Sequence, residues 1–520
     1  MIRKNYLLIA CAMLLTLSMA GQTTYFNTYE APTTGNNGRV SLNLPGGYLL
    51  TAGNVPDFTR GDKEILLVKT DTAGSLHWTK TIGTTDDNYF VGMAQGDGGR
   101  IAILSYDSIQ GQCYHKLMLI DTTGSILFEK TFLLNNGVQL SHQKLLTLTS
   151  GNIIVYGTYS NHVLLMNMNI FGILNWTRDL SSTISGVSLT DVDLTEMSNG
   201  DLALIVNMEG GTLLTKQFGF LLLNSTANIM SSQRFSTTVD LKGKRIYYSP
   251  TTGDLLIGAI ADNASALLLR LDSGGLLYWT KSYISTYLNH ATLVDMAFDP
   301  SSDECMTLSA DNTYGLEVNR FNANGDFMWS MAGPYHNEEP KSLAIENSGA
   351  LIVTGNIQST VSAFYNFFLT RIMSDGLLCD NSINTTPSFG TYVAVQVNEA
   401  FSINPQVTLT DTTIADTSRL YLLVPTEKCQ AYVGIVNPEK SFTLHSNIVS
   451  TELHLRTLEP YNKSDQIILT DYSGRIITTP PPVYGYYELT LNVSRLHEGY
   501  YIISHYKNGV SHRERFLIVR

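Results

Sequence analysis

Leu67-Val68-Lys69-Thr70-Asp71-Thr72-Ala73-Gly74-Ser75-Leu76-His77-Trp78 decides the fold, because the chain repeats it. The pattern is an apolar run, an Asp or Asn, two residues, a Gly, three residues and an aromatic. It returns as Asp121, Gly124 and Phe128, as Asn169, Gly172 and Trp176, as Asp272, Gly275 and Trp279, and as Asn322, Gly325 and Trp329. Degraded copies stand around Asn224 to Ala227 and Met373 to Gly376. Asx side chains bond nearby backbone and Gly accepts positive φ, so each copy reads as a tight turn between two strands.

A second marker runs in step with the first. It is a turn followed by a strand, as in Gly46-Gly47-Tyr48-Leu49-Leu50 and Gly98-Gly99-Arg100-Ile101, and again from Gly151, Gly200, Gly253, Asp303 and Gly349. Each of these seven copies lies 21 to 27 residues before its partner glycine position. Two independent markers therefore count seven units of about fifty residues. A unit of that size holds four short strands, such as 89–95, 99–105, 115–121 and 125–131, with the period-2 alternation of a half-buried sheet. One such sheet cannot bury both faces alone. Packing successive sheets face to face around an axis does so, and this predicts an all-β, seven-bladed propeller over 24–380.

The phase of the repeat predicts how the ring closes. Phe26 lies 21 residues before Gly47, as Trp78 lies 21 residues before Gly99. The first strand is thus an outermost strand with no blade before it, and it is expected to complete blade seven and remove an open edge. All four tryptophans, Trp78, Trp176, Trp279 and Trp329, hold the same repeat position. Identical placement in several blades points to packing between neighbouring blades, with a ligand platform as the competing reading. The Asp/Asn-x-x-Gly-x-x-x-Trp run resembles the tryptophan-docking motif of quinoprotein dehydrogenase propellers. In that family the motif is architectural, so the resemblance implies the fold. The adjacent-cysteine disulfide and calcium-ligand set of those enzymes are not found here, and no activity is implied.

Composition agrees with strands and turns: the chain has 520 residues, 43% hydrophobic and 15% charged, with 28 tyrosines. The net charge of −12 comes with no basic patch or stripe of the kind a nucleic-acid binder carries. Arg3 and Lys4, an apolar run over 6–17 and Ser18-Met19-Ala20 read as a signal peptide over 1–20. No later stretch has the roughly 20 apolar residues of a membrane helix. Export permits disulfides among Cys113, Cys305, Cys379 and Cys429. Cys379 and Cys429 flank the segment after the last repeat, 381–437, and are the favoured pair. That segment is expected to be a small accessory domain or a strap, with strands near 392–396, 406–409 and 419–424.

From 441 to 520 the pattern changes to short strands near 453–458, 466–471, 475–479, 487–492, 499–506 and 515–519, which predict a small Ig-like β-sandwich. Here Ile467-Ile468-Leu469-Thr470-Asp471-Tyr472-Ser473-Gly474-Arg475, Leu491-Asn492-Val493-Ser494-Arg495-Leu496-His497-Glu498-Gly499-Tyr500-Tyr501-Ile502-Ile503 and the closing Arg515-Phe516-Leu517-Ile518-Val519-Arg520 resemble the type A C-terminal sorting domain of the type IX secretion system. The motif positions are Asp471, Gly474, Leu496, Gly499 and Tyr500. Ser446-Asn447-Ile448-Val449 departs from the family, which usually has an Asn-Pro pair there. The resemblance implies a folded address read by the outer-membrane translocon, with the protein released or held at the outer cell surface.

No phosphate loop, no His-Glu-x-x-His and no nucleophile elbow is present, so no catalytic residue, cofactor or metal site is assigned. Asp191-Val192-Asp193-Leu194-Thr195-Glu196 could form a calcium loop but lacks the central Gly and spacing of an EF-hand, and an exposed strand edge explains it as well. The carboxylates from Asp299 to Glu304 read as a solvated turn. Three functions remain: a binding module for a glycan or protein ligand, an enzyme acting on polysaccharide or another extracellular substrate at the channel mouth, and a purely structural surface protein. Three or more converging carboxylates or histidines with shifted pKa would favour the enzyme, and a shallow surface of Tyr, Asn and Ser would favour binding.

Overall fold

In a computed structural model the chain divides into two compact units, Met1–Val433 and Gly434–Arg520. The structure describes residues 22–519 except 31–34, 57–61, 110, 135–138, 263–264, 286–287, 289–291, 311–314, 334–337, 347, 359–364, 377, 379–382, 386–387, 390–393, 405–408, 413–416, 421–423, 434–441, 445–447, 458–464, 472–475, 479, 481–487 and 508–509.

The first unit is a seven-bladed β-propeller. In blade one, Asn37–Leu44, Tyr48–Pro56, Lys63–Asp71 and Leu76–Gly83 form an antiparallel meander from the axis outward. Blades two to seven begin at Asp87, Ser141, Val187, Leu241, Thr292 and Glu338 and repeat that order. Blade seven takes its fourth strand from the start of the chain: Gln22–Glu30 pairs with Tyr365–Ile372, in the register Tyr25 to Arg371 and Tyr29 to Phe367.

Each blade is apolar on both faces, because it lies between two others. Seven buried clusters fill the seven seams. Phe90, Ile103 and Met118 meet Leu50, Ile65 and Leu67 between blades two and one. Tyr25, Tyr29 and Phe367 meet Leu49, Leu66 and Val68 where blade seven meets blade one. The buried thiols of Cys113 and Cys305 belong to this interior, where burial pushes the Cys113 thiol up to about 12 and raises Cys305 as well.

The first strand corrects the sequence alignment by one residue. Trp78, Trp279 and Trp329 pair with Lys69, Arg270 and Arg320 of the neighbouring third strand. The residue paired with Arg371 is Tyr25, not Phe26. A shift of one residue exchanges the two faces of a strand. Phe26 accordingly enters the seam between blades six and seven and stacks on Phe368 at 5.1 Å, while Tyr25 takes the tryptophan's place.

The segment after the last repeat is a belt. Its seven strands each add a fifth, outermost strand to one blade, and they visit the blades in reverse order. Ile383–Thr385 pairs with blade six, Ser388–Phe389 with five, Val395–Asn398 with four and Phe401–Asn404 with three. Leu409–Thr412 and Thr417–Leu420 join blades two and one, and Val424–Val433 closes on Gln22–Glu30. The described residues of this segment, expected as an accessory domain or a strap, lie as strands on the blades, and β-pairing holds them. The proposed Cys379–Cys429 bond lies outside the described residues at Cys379. Every outer edge is covered in part, which removes most of the unpaired N–H and C=O groups of an open ring of sheets.

In the second unit, a three-stranded sheet of Phe442–Leu444, Glu452–Thr457 and Glu488–Asn492 and a five-stranded sheet built on Gln466–Asp471, Gly499–Lys507 and Val510–Ile518 share one core. Leu453, Leu455, Leu489 and Leu491 of the first face Ile467, Leu469, Ile503 and Phe516 of the second. Asp471 ends its strand opposite Tyr501 and Leu496 packs on the core. Gly499 holds a φ of +145° that favours glycine. Gly474 and the Tyr500 side chain lie outside the described residues; Tyr501 and Phe516 are aromatics of the core. Ile448–Val449 forms a short parallel pair with Leu517 and Ile518.

Candidate ligand-binding site

The tryptophans settle into the scaffold. A Cβ added to Gly124 would lie 2.8 Å from Trp78, one on Gly325 2.5 Å from Trp279 and one on Gly376 2.9 Å from Trp329. Each ring therefore lies flat against the turn glycine of the next blade, and each glycine has a positive φ. Trp176 packs with the cluster containing Ala227, the degraded copy of that glycine, whose φ is +57°. Tyr25 does the same for Gly74, and the Tyr29 hydroxyl donates to the Gly74 carbonyl at 2.7 Å. These residues join blades and do not gather into a site.

The residues that do gather lie on the innermost strands. Each of the seven loses register once near its start, where one or two residues bulge from the ladder. Bulges re-aim a side chain, here at the channel. In chain order the bulged residues are Arg39, Val91, His142 with Gln143, Asp191, Lys244, Val294 and Lys341. Side chains of the preceding blade pin some of these bulges from behind. The Asn207 amide bonds both Gly243 backbone groups, and the Gly38 amide donates to Asn356 Oδ1 at 3.1 Å.

The channel cavity holds about 780 Å³ and is lined by Arg39, Lys144, Asp193, Arg245, Asp295 and Lys341 among others. Over blades three to six its charges are paired. Asp193 accepts from Lys144 Nζ at 3.0 Å, from the Tyr156 hydroxyl at 3.3 Å and from the Ile246 amide at 2.9 Å. Asp295 accepts from Arg245 Nε at 2.5 Å and from the Leu343 amide at 2.9 Å. Asp191 lies 3.6 Å from both Lys144 and Lys244. Burial opposes its charge, but the two lysines prevail and hold the carboxyl below its usual range. Asp191 and Asp193 of the stretch offered by sequence as a calcium loop are therefore counter-ions in a salt-bridge chain, while Glu196 accepts from Thr149. Asp299 to Glu304 forms a turn, in which Asp299 accepts from Ser301 and Ser302 and Glu304 pairs with Arg320.

Blade seven follows suit, whereas blades one and two differ. Lys341 pairs with Glu339 at 2.6 Å. Arg39 is exposed, its one partner among the described residues being the Phe90 carbonyl at 3.4 Å. A second cavity of about 480 Å³ lies beside it, lined by Asn36, Asn37, Asn54, Lys63, Asn356 and Tyr365 among others. The Lys63 ammonium sits 4.5 Å above the Tyr89 ring, which stacks on Tyr106 at 4.8 Å. Tyr106 is electrostatically coupled to Arg39 and bonded to Gln139, and burial raises its phenol. Two cavities, a tyrosine pair and two cations thus form one surface.

Sequence reasoning assigned no residue to this surface. A signal was present: Arg39, Val91, Gln143 and Lys341 stand eight residues before a turn marker, and Asp191, Lys244 and Val294 nine. The alternation between eight and nine blurred the column.

No protein-family model and no curated protein matches the chain. Among solved structures it is similar to an α-L-arabinanase of Penicillium chrysogenum complexed with arabinobiose, at 12% identity over 69% of this chain and 99% of that one, TM-score 0.39. It is similar to Drosophila Plexin A in complex with Semaphorin 1b, at 8% identity over 68% and 88%, TM-score 0.41. A GH43 β-1,3-galactosidase with galactodeoxynojirimycin matches at 8% identity over 49% and 94%, TM-score 0.32. Likenesses this distant carry no argument about what the protein binds or does.

Proposed function

We propose that the protein is a secreted or surface-displayed binding propeller, carried across the outer membrane by its C-terminal unit, with its ligand site on the blade seven, one and two side of the channel. One observation carries the binding reading. The three channel carboxylates, Asp191, Asp193 and Asp295, are spent on neighbouring cations and backbone amides, while Arg39, Lys63 and the Tyr89–Tyr106 pair stand at the cavities. Hydrolysis of a glycosidic bond by paired carboxyls needs one of them held protonated near neutral pH. At the channel the Asp191 carboxyl is shifted down, as are those of Asp121, Asp299 and Asp326 elsewhere. That favours charge anchoring over proton donation.

The test is a glycan and protein array probed with the full chain beside a panel of glycoside substrates. Retention on the array without turnover is expected; turnover with a blank array would overturn the binding reading. The sorting role rests on the resemblance over 441–520 and on the two-sheet core found there. Deleting 441–520 should leave the chain in the periplasm, and normal surface delivery of the shortened chain would refute it.

A further inference from the structure

We infer that the ligand is an acidic saccharide, whose uronate or sulfate groups are held by Arg39 and Lys63. The inference rests on the binding reading above and adds the chemical class.

Spent and unspent hydrogen-bonding groups decide that class. The second cavity is rich in amides, yet most are committed to backbone. Asn36 donates to the Tyr29 carbonyl at 3.0 Å and accepts from the Phe367 amide at 2.6 Å. Asn54 donates to the Glu64 and Asn88 carbonyls at 3.2 and 2.9 Å and accepts from the Phe90 amide at 3.2 Å. Asn356 accepts from Gly38 and donates to Glu339 at 3.2 Å. Asn37 accepts from the Asn54 amide at 2.9 Å. These side chains stiffen the wall and offer little to a ligand.

The cations are different. Lys144, Lys244, Arg245 and Lys341 each have a carboxylate within 3.6 Å. No carboxylate forms a salt bridge with Arg39 or Lys63 among the described residues; Lys63 Nζ reaches only the Tyr89 hydroxyl, at 3.4 Å, besides the ring beneath it. Guanidinium and ammonium groups only donate, so the complement must accept and is best charged. The chain carries a net charge of −12. Asp87 reaches Lys63 only through its backbone amide and the Tyr89 hydroxyl, so an anion at the cleft can still pair directly with both cations.

Shape narrows the anion. The cavities of about 480 and 780 Å³ share strands: Asn37 lines one and Arg39 the other, as do Glu339 and Lys341. Each is of the size that encloses a small ligand, and the strands they share set them close together. An elongated molecule with charges spaced along it fits better than a single small anion. The stacked tyrosines seat one of the cations, since the Lys63 ammonium lies 4.5 Å above the Tyr89 ring. Backbone fixes the grip in advance, since Arg39 projects from a bulge tied to Asn356 of the neighbouring blade.

Calorimetry on the full chain tests this with four probes: oligogalacturonate, a heparin-derived oligosaccharide, a neutral xylo-oligosaccharide and oligoglutamate. Binding of the uronate or the sulfated probe is expected, weakening as salt rises. Arg39→Ala should weaken it tenfold or more and Arg39→Lys less, while Arg100→Ala, remote in the turn after Gly99, leaves it unchanged. Thermal melts of the variants check that the ring is intact. Equal binding of the neutral probe, unaffected by Arg39→Ala, overturns the acidic class but keeps the binding reading. Oligoglutamate bound in place of both acidic sugars makes the ligand an acidic peptide and overturns the saccharide. Retention on the array with no calorimetric binding of any probe likewise refutes only this inference.

Discussion

Gly325 and Gly200 share a backbone conformation, with φ of +72° and +82°, and differ in what stands above them. A Cβ on Gly200 would meet nothing within 4 Å, whereas on Gly325 it would lie 2.5 Å from the Trp279 ring. The pair separates the two reasons for a turn glycine. Gly200→Ala should cost about 1–2 kcal/mol, for left-handed backbone alone. Gly325→Ala should cost about 1–3 kcal/mol more, for an overpacked seam. Urea melts of both variants measure the difference, and equal losses would mean that Trp279 does not depend on that contact. The same scale shows what the sequence could carry. The tryptophan–glycine pairing was legible because it repeats at a fixed interval. Tyr25 was not, because the interval to Gly47 places Phe26 in the tryptophan column and only the pairing with Arg371 reveals the slip. The channel charges were harder still: a bulge adds a residue to a strand without leaving a mark in the hydrophobic pattern.

The belt strands are the least legible elements, and their shortness explains why. Apart from Val424–Val433 they run two to four residues, too few for an alternating pattern to rise above chance. Three of the seven were anticipated, with displaced boundaries, as a strap of undefined course. Each is held by an outer strand already folded into its blade, so its order is borrowed. Losing one should therefore be local. Thr410→Pro together with Asp411→Pro removes whichever of these two adjacent amides donates to the outer strand of blade two, opposite Leu133 and Phe132. Hydrogen exchange should quicken over residues 131–134 of blade two and stay unchanged on the outer strands of blades one and three. Faster exchange around the whole ring would mean that the belt acts as one cooperative unit.

For the whole molecule, the belt makes the last part of the first unit return to its beginning. Val433 pairs with Gln22, so the chain enters and leaves the ring at one place. The C-terminal unit, which follows at Gly434, is the part expected to carry the sorting address. Suppose a cell holds the protein by that end while a ligand pulls on the channel. Tension then enters at Val433, the end of the ladder opposite the Val424 and Tyr365 side where the second cavity lies, and runs along the strand, so the pairs of that ladder resist together in shear. The ladder along Val424–Val433 tears first, followed by the short steps on blades one to six in turn, with slack chain paid out between them. Blade seven keeps Gln22–Glu30, and the seven buried seams stay shut throughout. The belt would thus lengthen the tether and absorb mechanical work before the binding face is deformed.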